Sequence, residues 1–259
     1  MTQQKITIPN SRNEKLEGIL HETESREIIV LCHGFLSRKE STIIKNLATA
    51  IEKEGISAFR FDFSGNGMSE GIFSYGNYSH ETDGDLRSVI QHLSNNMNRV
   101  VTTILGHSKG GDVVLLYASK YRDIRNVINL SGRYDMRKGI VDRFGEDVFE
   151  RIEKQGFIDA KNHQKGKPGY RVTKEGLIEG LNTDMHQACL KIDKECRVLT
   201  VHGTEDKTVP VEDAKEFAKI IPNHKLEIVE GAGHSFSEHQ ALLISIVMKF
   251  VKTAVVKNH

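Results

Sequence analysis

The sequence predicts an α/β fold: a mostly parallel, twisted sheet with helices on both faces and a small lid insertion. Three observations carry this expectation. From residue 26 onward, short apolar runs alternate with longer amphipathic stretches, as parallel βαβ units do. Most of those runs are apolar almost throughout, the pattern of strands covered on both faces. One interval, 133–190, holds far more chain than a single crossover helix needs, and the excess has to fold over the sheet.

In chain order, "KITIPNSRNEKLEGILHE" has two alternating runs separated by turn residues and predicts an antiparallel hairpin at the sheet edge. Parallel strands are predicted at 27–33, 57–63, 99–105, 125–131, 196–202 and 225–231. Helices are predicted at 40–54, 79–97, 109–120, 211–220 and 237–253, each with apolar residues three or four apart. Within the insertion, "VDRFGEDVFERIEKQ" reads as one amphipathic helix and "KEGLIEGLNTDM" as another. "GFIDAKNH" and "YRVT" flank "QKGKPG" as a hairpin. The expected division is a core domain from 1–132 and 191–259, with 133–190 as the lid.

The totals exclude several classes. At 259 residues, with 38% apolar and 27% charged side chains, the chain suits one globular α/β core. Thirty-six basic residues against thirty-five acidic ones leave no footprint for neutralising many phosphates, so no nucleic-acid partner is expected. The basic stretch at 163–171 reads as a solvated loop. "MTQQKITIPN" lacks an apolar signal region, and no window reaches the ~20 apolar residues of a membrane span. A cytoplasmic protein is the expectation. Cys32, Cys189 and Cys196 match no disulfide or zinc spacing, and Cys32 reads as a small buried hydrophobe within a strand.

Chemistry concentrates at Gly106-His107-Ser108-Lys109-Gly110. An apolar strand ends at the first glycine and an amphipathic helix starts after the serine, which is the context of a nucleophile elbow rather than of a capped turn. Flanking glycines make room for the tight turn, and the helix N-terminus favours developing negative charge. A serine hydroxyl needs a base within hydrogen-bond reach. His234, in the glycine-rich "VEGAGHSFSEH" after the last strand, is the candidate, preferred over His239 inside the following helix. "VLTVHGTEDKTVP" offers Glu205 and Asp206 at the end of the preceding strand, and Asp206 is chosen as the orienting acid. Two main-chain N–H groups are expected to face the oxyanion: that of Lys109, after the nucleophile, and that of Phe35, after His-Gly at the end of the first parallel strand. Candidate pocket walls are Phe35, Leu36, Phe144, Phe149, Phe157 and Tyr170; the four aromatics of the insertion serve equally well as its apolar centre.

With these motifs the sequence resembles the α/β-hydrolase superfamily, in the lid-bearing serine hydrolase branch that includes monoacylglycerol lipases, cinnamoyl (feruloyl) esterases and serine-aminopeptidase-like hydrolases. The resemblance is collinear over nearly the whole chain and rests on "HGF" (33–35), "DFSGNGMSEG" (62–71), "GHSKGG" (106–111), "HGTEDKTVP" (202–210) and "GAGHSF" (231–236). It implies an α/β-hydrolase fold and supports Asp206 over Glu205. It implies a structural turn, with no chemical role, for Asp62, Gly65, Gly67 and Ser69. Lys109 departs from the Gln or Met that many relatives carry after the nucleophile, so its side chain either points away or narrows the choice of substrate. The expectation is a serine esterase acting on a small-molecule ester through Ser108, His234 and Asp206, with no metal or organic cofactor. Thioester, amide or C–C hydrolysis and acyl transfer use the same three groups, and a small-ligand receptor with little turnover is the second class. Epoxide and haloalkane hydrolysis need an aspartate at position 108 and are rejected.

Overall fold

A computed structural model describes residues 2–162 and 169–255. The chain opens with the hairpin β1 (Thr2–Pro9) and β2 (Lys15–Glu22), paired antiparallel, with Ile8 and Leu16 facing each other and buried. Then come β3 (Glu27–Cys32), α1 (Thr42–Lys53) and β4 (Ser57–Phe61). Helix α1 buries Ile43, Ile44, Leu47, Ala48 and Ile51, one stripe at helical spacing.

The predicted helix at 79–97 is wound in two ways, as a π-helix over His80–Leu86 followed by α2 (Arg87–Asn95). The π-turn buries polar side chains that bond outward: Asp85 accepts from Asn10 and from both the N–H and hydroxyl of Ser64. An apolar-spacing pattern carries no sign of this wider winding. Strand β5 (Val100–His107), α3 (Lys109–Tyr121) and β6 (Asn126–Leu130) follow.

After β6 the chain forms α4 (Ile140–Phe144), α5 (Val148–Gln155), the antiparallel pair β7 (Phe157–Ala160) and β8 (Tyr170–Thr173), α6 (Lys174–Asn182) and α7 (Met185–Cys189). The single helix expected over 141–155 is two, because Gly145 takes φ 95° and ends α4. Much of the predicted "QKGKPG" turn, and of the basic stretch 163–171, lies outside the described residues. This segment has its own apolar cluster, including Ile140, Phe144, Val148, Ile152, Ile158, Val172 and Leu177. Helix α7 instead places Met185 and Cys189 in the main core. Strand β9 (Arg197–Gly203), α8 (Val211–Ile220), β10 (His224–Val229), a 3-10 turn (Ser237–His239) and α9 (Gln240–Val255) complete the fold.

The eight-stranded sheet has the order β1-β2-β4-β3-β5-β6-β9-β10, with β2 antiparallel to both its neighbours, β1 and β4, and the six strands from β4 to β10 mutually parallel. Its two faces bury separate clusters, one around Phe59, Phe61, Leu86 and Val113 and the other around Ile44, Leu47, Leu105 and Leu243. Each fully buried Leu or Phe contributes about 1.5–3 kcal/mol relative to exposure. The order also positions the site. From β3 the chain steps to β4 on one side and to β5 on the other, so the topology reverses there and leaves a crevice at the carboxyl ends of β3 and β5. The His33-Gly34-Phe35 turn and the Ser108 elbow are at those two ends. Cys32, Cys189 and Cys196 are buried and unpaired, with Cys32 fully enclosed in β3. No helix among the described residues is long and apolar enough to cross a membrane.

Candidate active site

Ser108 joins β5 to α3 at φ 56°, ψ −124°, a conformation that side chains rarely adopt and that surrounding structure must enforce. The enforcement is steric. A side chain on Gly106 would collide with the Gly110 carbonyl, and one on Gly110 would meet the His33 and Cys32 carbonyls. The elbow is fastened to β6 by the Ser108 N–H, which donates to the Leu130 carbonyl at 2.7 Å, and its own carbonyl starts α3 by accepting from Gly111 and Asp112.

His234 reaches this serine from the loop after β10. Its Nε2 is 3.0 Å from Ser108 Oγ, and its Nδ1 is 2.7 Å from Asp206 Oδ2. An ionised carboxylate only accepts, so Nδ1 carries the proton and Nε2 is left to accept from the serine hydroxyl. The Asp206 carboxylate takes the main-chain N–H groups of Thr208 and Val209, each 2.8 Å from Oδ1, and shares the one N–H of His202 Nε2, which is 2.9 Å from the Val209 carbonyl and 3.2 Å from Oδ2. Burial alone would raise the Asp206 pKa. The hydrogen bonds from His202 and His234, together with the His234 charge, outweigh burial and hold it well below the usual carboxylate range. Glu205 donates its main-chain N–H to Ala232, which ties the acid loop to the histidine loop. The structure thus brings Ser108, His234 and Asp206 into one hydrogen-bonded chain and leaves His239 in the 3-10 turn.

Histidines that motif reading passed over brace this chain. His107 donates from Nε2 to the His234 carbonyl at 2.9 Å, and burial first, then the neighbouring His234 ring, lower its pKa to about 3. His33 donates from Nδ1 to the Gly34 carbonyl and accepts at Nε2 from the Phe63 N–H, with burial lowering it to about 4. Both are therefore neutral crosslinks near neutral pH. The signal for each was its place beside a glycine at a strand's carboxyl end.

The expected oxyanion donors occupy neighbouring turns. Ser37 N–H closes on the Gly34 carbonyl with Leu36 at φ 49°, and Phe35 is the first central residue of that turn. Among the described residues neither the Phe35 nor the Lys109 main-chain N–H has a hydrogen-bond partner. Behind them, Asp62 accepts from the Lys39 N–H, the Lys39 ammonium and the Met68 N–H, and Ser69 Oγ donates to the Asp62 carbonyl. A side chain on Gly67 would strike that carboxylate, while Gly65 turns at φ 71°. The motif of Asp62, Gly65, Gly67 and Ser69 is a brace.

The Lys109 ammonium turns into the protein, 2.7 Å from Glu81 Oε1 and 5.0 Å from the Tyr78 ring centre. Both members of the ion pair are buried. Burial pushes the Glu81 carboxyl up to about 7 against the pull of Lys109, and Glu81 Oε2 has no hydrogen-bond partner among the described residues.

A cavity of about 540 Å³ opens over Ser108 and Lys109. Phe35, Tyr75, Tyr78, Met136, Ile140 and Leu181 supply its apolar wall. Of the six walls expected from sequence, Phe35 alone lines it. Phe144 and Tyr170 pack in the insertion's own cluster, Phe149 is 51% exposed, and Phe157 lies under the Arg171 guanidinium; Leu36 forms the neighbouring turn. Tyr75 and Tyr78 come from the loop before the π-helix, which the insertion clasps: Ser79 bonds Glu179, and Gly76 abuts the Gly176 carbonyl.

A sequence model of the family described as "Serine aminopeptidase, S33" (Hydrolase_4) matches residues 23–186. The chain belongs to this family. The S33 match spans the Phe35 turn and the elbow, whereas Asp206 and His234 lie beyond it and are joined to Ser108 by the fold. Over 256 residues the chain is 25% identical to the uncharacterized protein YDL057W of Saccharomyces cerevisiae, covering 89% of this chain and 76% of that protein. It is 26% identical over 111 residues to a monoacylglycerol lipase of Mycolicibacterium smegmatis, 43% of this chain and 39% of that protein. Among solved structures, Est1E from Butyrivibrio proteoclasticus superposes with a TM-score of 0.78 at 22% identity, over 97% of this chain and 99% of that one. The fold of this S33 member is the α/β-hydrolase fold.

Proposed function

We propose that the protein is a serine esterase that cleaves carboxylic esters of small to medium acyl substrates. The observation that carries this reading is the hydrogen-bonded chain from Ser108 Oγ through His234 to the fully bonded Asp206 carboxylate. Ser108 Oγ attacks the ester carbonyl while His234 Nε2 takes its proton. The carbonyl oxygen becomes an oxyanion facing the main-chain N–H groups of Phe35 and Lys109, where each donor is worth about 3 kcal/mol of barrier. Collapse breaks the C–O bond to the alcohol, which receives the proton from His234. Water, deprotonated by the same imidazole, then attacks the acyl-serine and releases the acid. Asp206 stays ionised throughout and stabilises the imidazolium. Residues 133–190 act as the lid of this site, over a core of 1–132 and 191–259.

An ester suits the cavity better than a peptide amino terminus. An ammonium group needs carboxylates, and the lining carries five cationic side chains against the carboxylates of Asp112 and Asp142. The test is turnover of 4-nitrophenyl butyrate by Ser108→Ala. Loss of at least about 10⁴-fold in kcat, with an unchanged melting temperature, is expected; a wild-type rate would remove the proposal.

A further inference from the structure

We infer that the esters this protein prefers carry an anionic group, a carboxylate or a phosphate, on their acyl or alcohol part, held by Arg133 and Arg143 with Lys207 beside them. The inference rests on the esterase reading and deepens it.

The charge of the cavity is not that of the chain. Overall, 36 basic residues balance 35 acidic ones. The lining of the cleft over Ser108 has Lys109, Arg133, Lys138, Arg143 and Lys207 against Asp112 and Asp142. Part of that excess is already answered. Lys109 pairs with Glu81 at 2.7 Å, and Lys138 has Asp213 at 3.5 Å.

The other three cations form no ion pair with a carboxylate among the described residues. The two arginines are instead held by neutral groups. Arg133 donates from Nη1 to the Lys138 carbonyl at 3.1 Å and from Nη2 to the Thr208 carbonyl at 2.6 Å. It thereby ties the start of the insertion to the loop that carries Asp206. Arg143 lies over the Phe35 ring, 5.5 Å from its centre, and its charge acts on the neighbouring Tyr75 phenol, where burial is the larger influence. Carbonyls and an aromatic face fix the position of a guanidinium without cancelling its charge. Lys207, next to Asp206, is exposed at the same rim.

The carboxylates in the lining offset this little. Asp112 accepts the Arg133 main-chain N–H at 2.7 Å, and burial pushes its pKa well above the usual range, weakening its negative charge. Asp142 is exposed on the first turn of α4. Two guanidinium groups that line one cleft, with a flexible ammonium at its rim, supply the charge and the N–H donors that carboxylate or phosphate oxygens accept.

The experiment uses two pairs of esters that differ by the anion alone. The first is the 4-nitrophenyl monoester of glutaric acid against 4-nitrophenyl valerate. The second is a 1-acylglycerol 3-phosphate against the same 1-acylglycerol. In at least one pair, kcat/KM should favour the anionic ester by roughly tenfold to a hundredfold, chiefly through KM. Which pair responds distinguishes a carboxylate on the acyl side from a phosphate on the alcohol. The ratio should fall toward one in R133Q/R143Q, and in the milder K207Q if the double variant fails to fold. It should also fall as salt rises to about 1 M, where the screening length shrinks to about 3 Å. Equal or better turnover of both neutral esters, or a preference that survives these substitutions, overturns the inference and leaves the esterase reading standing. Failure to turn over any of the four esters overturns both.

Discussion

Two buried carboxylates each hold one basic side chain, Asp206 that of His234 and Glu81 that of Lys109, and they behave in opposite ways. Asp206, in the loop after β9, collects two main-chain N–H groups and two imidazoles, and is held ionised far below its ordinary range. Glu81, in the π-turn, has one ammonium on one oxygen and, among the described residues, no hydrogen-bond partner on the other, and burial carries it up to about 7. The difference teaches that an opposite charge alone does not keep a buried carboxylate ionised; the count of donors does. A group that must stay negative through a reaction needs the first environment.

The largest effect is expected from breaking the Asp206 side of that contrast. D206N replaces an acceptor by a group that also donates, which removes the preference for Nδ1–H on His234. Steady-state assays should show kcat reduced about 10⁴-fold, with the melting profile largely kept. A loss of less than tenfold would mean that His234 is oriented by something else.

A smaller effect is expected at Glu81. Its folded pKa lies above the model-peptide value of 4.5, so between 4.5 and about 7 the native protein keeps a proton that the unfolded chain has released. Its contribution to stability therefore falls as pH rises through that window. E81Q removes the slope. Urea denaturation should show the difference in unfolding free energy, E81Q minus wild type, growing by roughly 2 kcal/mol between pH 5 and 7. A flat difference would place Glu81 among ordinary ionised carboxylates.

An effect of similar size and opposite sign is expected at His33. His33 is lowered from 6.5 to about 4, so its stabilising contribution is complete above pH 6.5 and is lost as pH falls toward 4. H33Q should flatten the acid limb of the wild-type curve by about 1 kcal/mol per pH unit over that range. An unchanged acid limb would contradict the neutral crosslink between the Phe35 turn and the loop after β4.

Much of this frame was legible in the sequence because strands covered on both faces announce themselves. The run at 27–33 became Glu27–Cys32 and that at 196–202 became Arg197–Gly203, each displaced by a residue at most at either end. Ser108, Asp206 and His234 could be named because each follows a strand end and a glycine, where side chains are displayed at the sheet's carboxyl edge. What escaped was set by packing between distant segments. The π-winding of His80–Leu86 depends on partners such as Asn10 and Ser64, so no local period reports it. The place of Arg133 and Arg143 in the cleft depends on how the insertion seats against Tyr75 and Gly76, and a charged residue in a linker looks the same wherever that linker lands. Sequence left the insertion's aromatics equally able to be wall or core, and packing decides it: Phe144 and Tyr170 join the insertion's own small core.

The most direct test of the Ser108–His234–Asp206 chemistry is covalent labelling of the intact protein with a fluorophosphonate, followed by peptide mass spectrometry. One adduct per chain on Ser108, formed within minutes and all but abolished in H234A, is the expected result. A label carried by a different residue, or undiminished labelling of Ser108 in H234A, would contradict it.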